Sequence, residues 1–161
     1  MDGSCHLLLK ILRETIEAHR VLHLLMHEEH HYMMNLNREL LAEVIGAKQN
    51  VLLQIVDLDQ KRIGLSFCNA SLSEIIEGLE QSGQIPLARE LETEKENLKQ
   101  VLTQIRDQNE SNRVLANASL ERIEEMKRNI IGARQPSAGY TSTGSRGALR
   151  NDGGQLIREK A

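Results

Sequence analysis

Between Leu7 and Leu65 the chain has no proline and only two glycines, Gly46 and Gly64. Without helix breakers, a stretch this long must be one element or a few very long ones. Its apolar residues return every three or four positions: Leu9, Leu12, Ile16, Met26, Met33, Leu40, Val44, Ala47, Val51 and Leu58. Leu41, Ile45, Leu52 and Ile55 widen that stripe. The spacing predicts one amphipathic helix of roughly 59 residues, about 90 Å long at 1.5 Å per residue. Such a helix must lie against another long helix, so the expectation is an all-α chain built as a long antiparallel helical hairpin.

After a break at Cys68-Asn69-Ala70, Ser71 and Glu74 form a capping-box pair opening a short helix from Leu72 to about Gln81. Gly83 suits its C′ position, and Pro86 suits the first turn of a further helix ending near Ile131-Gly132. That last helix shows heptads. One set of seam positions is Leu91, Leu98, Ile105, Asn112, Ser119 and Met126; the other is Lys95, Leu102, Asn109, Ala116, Ile123 and Ile130. Folded antiparallel on the first helix, the last one would bring Asn112 opposite the Leu40 region. His19, His23 and His30 would then face Leu120 to Gly132, and the desolvated imidazoles would be held neutral. Cys5 and Cys68 would lie at opposite ends of the first helix.

From Ala133 onward the character changes: five Gly, three Ser and two Thr accompany Arg134, Arg146, Arg150, Arg158 and Lys160 against Asp152 and Glu159. The organisation is therefore a helical domain at 1–132, and a flexible Gly/Ser-rich basic tail at 133–161 that cannot bury a core. With 20 Lys+Arg against 23 Asp+Glu, a net charge of −3 argues against a nucleic-acid binder. One Phe, two Tyr and no Trp argue against a compact α/β or β-sandwich enzyme. The start Met1-Asp2-Gly3-Ser4-Cys5-His6 lacks the basic segment of a secretory signal, and Lys10 interrupts Leu7-Leu8-Leu9, so a cytoplasmic protein is expected.

His27-Glu28-Glu29-His30-His31 contains the zinc-peptidase pattern H-E-x-x-H on a helix, but no histidine follows His31 to complete a ligand set. Coincidence in a histidine-rich stretch is the better reading, with no catalytic residue, cofactor or metal assigned. Met26, Met33, Met34 and Met126 fit either ordinary core or an adaptable groove.

Four stretches together resemble the FlgN-type flagellar type III export chaperones. They are Leu25-Met26-His27-Glu28-Glu29; Lys48 to Ile55 with Leu58 and Arg62; Asn109 to Leu115 leading into Ser119-Leu120-Glu121-Arg122-Ile123; and Tyr140-Thr141-Ser142-Thr143-Gly144. The likeness spans about 7–145; Thr143 stands where the family has an acidic residue. It implies a non-enzymatic cytosolic chaperone that binds helical termini of hook-associated proteins, prevents their premature assembly and delivers them to the export gate. Contact with the membrane export apparatus would be transient, and a homo-oligomer is expected when substrate is absent. The alternative is a structural coiled-coil protein that only dimerises. Substrate contacts are expected at Leu115, Leu120, Ile123, Met126 and Ile130. The resemblance further implies that Tyr140, with Gly144, docks the chaperone on the cytosolic domain of the gate.

Overall fold

The computed structural model describes residues 2–65 and 70–133. It contains four helices: α1 (Asp2–Met34), α2 (Arg38–Ile63), α3 (Leu72–Gln81) and α4 (Ile85–Ala133). Among the described residues there is no strand, so the all-α class and the short intervening helix are as expected. The chain divides into two compact units, Met1–Ser119 and Leu120–Ala161.

The expected 59-residue first helix is instead two helices. The break falls at Asn35-Leu36-Asn37, which contains neither Gly nor Pro. Leu36 adopts the left-handed conformation at φ 54°. The Leu36 amide donates to the Met33 carbonyl at 3.3 Å and the Asn37 amide to the Tyr32 carbonyl at 3.0 Å, the pair of bonds of a Schellman stop. Asn37 then caps α2, its side-chain oxygen accepting from the Leu40 amide at 3.2 Å. An asparagine cap can start a new helix wherever a preceding residue tolerates positive φ, and here leucine does so.

The second reversal is built from cleaner signals. Ser71 and Glu74 exchange both capping-box bonds, at 3.2 and 2.6 Å. Gly83, at φ 78°, lets α3 end with Gln84 N–H donating to Leu79 O at 2.9 Å. An alanine there would be strained whatever the space around it.

Two reversals return the chain to its first direction, so α4 runs parallel to α1, not antiparallel. Arg13 of α1 pairs with Glu90 and Glu94 of α4 at 2.9 Å each. Further along, His30 lies 3.0 Å from Asn112, and Met26 O accepts from the same residue. The separations between partners stay at 77 to 86 residues throughout, the signature of parallel alignment. α2 is the antiparallel partner: Lys48 pairs with Glu29, and Ile55, Asp59 and Arg62 share a cleft with Leu12, Thr15 and His19.

The core of the first unit is a cluster of Cys5, Leu8, Leu9 and Leu12 from α1, Ile76 and Leu79 from α3, and Leu87, Ala88 and Leu91 from α4, with Leu65 packed against it. Leu65 and Cys5 are thus neighbours of one cluster, which removes the expected separation between the two ends of a single helix; Cys68 itself lies outside the described residues. The seam of α4 keeps the first heptad set from Leu91 to Ser119, while Met126 is exposed. The second set is Leu87, Glu94, Val101, Gln108 and Leu115, one residue earlier than expected, and Leu102 and Asn109 are exposed. Polar residues fill that seam because each has a partner: Glu94 accepts from Arg13 and Asn97, and Gln108 donates to Asn112. Those bonds from Arg13 and Asn97 hold the Glu94 carboxylate below its ordinary range.

Candidate partner-binding surface

Two surfaces of the molecule carry apolar residues that its own packing leaves open. The first is in the unit beginning at Leu120, where every described side chain from Leu120 to Ile131 is exposed. Leu120, Ile123, Met126 and Ile130 return at three- and four-residue spacing, which aligns them on one helical face about 120° wide. Their exposures run from 45% at Ile123 to 59% at Leu120. Glu121, Arg122, Glu124, Glu125 and Arg128 keep the remaining circumference charged, while Lys127 falls within the arc of the stripe. A helix this amphipathic, with its stripe in water, has the pattern that an apolar partner face completes. Leu115, expected with this group, is instead half-buried in the first unit, in the α4 seam. Tyr140 and Gly144 lie outside the described residues.

The second surface lies on α2, where Ile45, Leu52, Val56 and Ile63 are between 42% and 53% exposed. Their spacing of seven, four and seven residues draws a narrow line along the helix. The sequence pattern counted Ile45 and Leu52 as a widening of the core stripe. Among α2 residues only Val44 and Leu58 are buried, because α1 carries its own apolar stripe to α3 and α4 as well as to α2. Periodicity tells which residues share a face, not whether a neighbour covers it, so this line was not recognisable as a surface.

Between α1, α2 and α4 sits a polar layer. Asn112 is 5% exposed, and all four of its amide hydrogen-bonding positions are used. Nδ2 donates to Met26 O at 2.9 Å and to Glu29 Oε2 at 2.8 Å. Oδ1 accepts from Gln108 at 2.9 Å and lies 3.0 Å from His30 Nδ1. Glu29 also takes Lys48 of α2 at 2.6 Å, so three helices meet in one network. Asn112 is a seam residue as expected, but the parallel course of α4 sets it against Met26 to His30 and not against the Leu40 region.

The histidines are likewise redistributed. His30 belongs to the polar layer, and His19 lines a cleft of about 400 Å³ with Leu98 and Leu102, so both find their partners within the first unit. His23 packs edge-to-face against His27, with ring centroids 4.6 Å apart. Burial, and then the charge of His27, push the His23 imidazole below its ordinary value, the direction expected for a seam histidine. Within H-E-x-x-H, the His31 Nε2 lies 2.9 Å from Asn35 Nδ2. No group of three or more His, Cys, Asp or Glu able to hold a metal occurs among the described residues. Of the methionines, Met26 is core at 3% exposure, whereas Met34 and Met126 are open at 63% and 56%. No described helix is long and apolar enough to cross a membrane.

The family model described as FlgN protein matches residues 1–147, and the chain belongs to that family. No curated protein and no solved structure matches it.

Proposed function

We propose, from its membership of the FlgN family, that this protein is a cytoplasmic chaperone of flagellar type III export. Its substrates are the helical termini of hook-associated proteins, which it keeps from assembling early and delivers to the export gate. The observation that carries the reading is the open stripe of Leu120, Ile123, Met126 and Ile130. An amphipathic substrate helix needs an apolar stripe to lie on, and helix-in-groove recognition uses anchors at this spacing. Met126 adds an adaptable contact, useful where more than one substrate must fit. Tyr140 and Gly144 serve as the docking point on the cytosolic domain of the gate. A large ring with few torsions to freeze makes an efficient anchor.

The test is co-expression with hook-associated proteins. Full burial of an apolar side chain is worth about 1.5–3 kcal/mol, so Leu120→Asp with Ile123→Asp should weaken binding at least about a hundredfold. Far-UV circular dichroism should be nearly unchanged, because both positions are exposed. Retained binding in the double variant rejects this surface. Tyr140→Ala should leave substrate affinity intact and weaken binding to the gate domain; equal losses in both remove its gate-specific role.

The α2 line of Ile45, Leu52, Val56 and Ile63 favours a second reading, self-association when substrate is absent. Sedimentation equilibrium of Leu52→Asp/Val56→Asp against the unaltered chain separates that use of the molecule from substrate binding.

A further inference from the structure

We propose that α1 carries a two-histidine chelate for a late first-row divalent cation, with His23 and His27 as its protein ligands. The two residues are one helical turn apart, which stacks their side chains on a single face. Their ring centroids are 4.6 Å apart at an interplanar angle of 71°. That separation lets one nitrogen of each ring reach a common ion at ordinary metal–nitrogen distances of about 2.0–2.1 Å.

What singles out this pair is the contact between its rings. Other pairs on α1 have the same spacing, His19 with His23 and His27 with His31. In neither of those pairs are the rings in contact among the described residues, and each hydrogen-bonded ring keeps one nitrogen open. His19 Nδ1 lies 2.7 Å from Thr15 O, and His31 Nε2 lies 2.9 Å from Asn35 Nδ2. His30 is held by Asn112. Neither His23 nor His27 makes a hydrogen bond among the described residues. Their rings lie side by side with no protein hydrogen-bond partner among the described residues. His23 is half-buried and His27 is exposed, which leaves the entry path and the remaining coordination positions to water.

Two imidazoles with open water positions suit tetragonal N,O coordination, hence Cu²⁺ or Ni²⁺ ahead of Zn²⁺. Four-coordinate structural zinc, by contrast, takes all its ligands from protein. Binding also fastens the turn between His23 and His27, so the cation stabilises the fold by mass action.

The experiment is calorimetric titration of the full chain with Ni²⁺, beside thermal unfolding with and without the ion. One Ni²⁺ per chain is expected, with a rise in the unfolding midpoint. His27→Ala should weaken binding about tenfold or more and abolish the rise; because His27 is exposed, this substitution does not threaten the fold. His23→Gln should do the same, and His31→Ala should change neither readout. Undiminished binding in His27→Ala overturns the proposal. So does an equal loss in His31→Ala, which would assign the ion to the H-E-x-x-H pair. Small losses spread over every histidine variant overturn it too, as adventitious binding only.

Discussion

Replacing Asn112 by alanine isolates the polar layer that ties three helices together. The substitution removes four hydrogen bonds, to Met26 O, Glu29, Gln108 and His30. A typical intramolecular hydrogen bond contributes about 0.5–1.5 kcal/mol net, and one to a charged group about 1.5–3. The four do not simply add. Glu29 keeps Lys48 at 2.6 Å, so its carboxylate is not stranded. Gln108, Glu29 and His30 are only half-buried, and water replaces part of what they lose. The bond to Met26 O is the fully buried one, and its loss is felt in full. The expected destabilisation is therefore about 2–4 kcal/mol, below the plain sum. Against a domain stability of about 5–15 kcal/mol, that is a large fraction. Urea unfolding followed by circular dichroism at 222 nm reads it as a lower midpoint at unchanged slope. A loss under about 0.5 kcal/mol would falsify the network, because such a value is that of an ordinary surface position.

Three further outcomes follow from single residues. Leu91 is wholly buried, and Leu91→Ala should cost about 3–5 kcal/mol in the same urea assay; under about 1 kcal/mol would mean the α1–α3–α4 cluster is loosely packed. Leu36→Gly relieves a positive φ at a site that is 80% exposed, so it should stabilise the chain by about 0.5–1 kcal/mol; destabilisation would show that Leu36 is not left-handed in solution. Because the folded value for His23 lies below the unfolded value of about 6.5, its contribution to stability is complete above that pH. It is lost as pH falls through the depressed folded value, and NMR titration placing His23 at or above 6.5 would contradict this.

The elements with explicit stereochemical signals were legible in the residues. Ser71 with Glu74, then Gly83 and Pro86, marked the limits of α3 and the start of α4, and Leu91 to Ser119 marked one edge of the seam. What could not be read was direction. The α1–α2 turn uses leucine in a conformation normally given to glycine, so the only trace of it was Asn37, a competent cap in a helix-like run. That one reversal makes α4 parallel to α1 and sets Asn112 against Met26 and not the Leu40 region. Of the expected partner contacts, Leu120, Ile123, Met126 and Ile130 share one face because helical spacing alone dictates it, whereas Leu115 belongs to the seam. The open line on α2 was hidden for a different reason: coverage is decided by long-range packing, which local periodicity does not encode.

The parallel course of α1 and α4 also fixes an order in time. Leu8 and Leu12 find their burial against Leu87, Ala88 and Leu91, so a nascent chain that has just made α1 has nothing yet to close its apolar face. About 57 more residues, from Met34 to Leu91, must be added first, roughly 3–11 s at ordinary synthesis rates. The α1–α2 pair can form in that interval, since Lys48 follows Glu29 by only 19 residues. The N-terminal end of α1 cannot, and it is closed only once α3 and α4 have both emerged. Helical proteins fold fast when their contacts are local; this one joins a local hairpin to a distant closing strap, and its slow step belongs to the strap. During those seconds Leu8, Leu9 and Leu12 form an apolar surface that the nascent chain leaves in water.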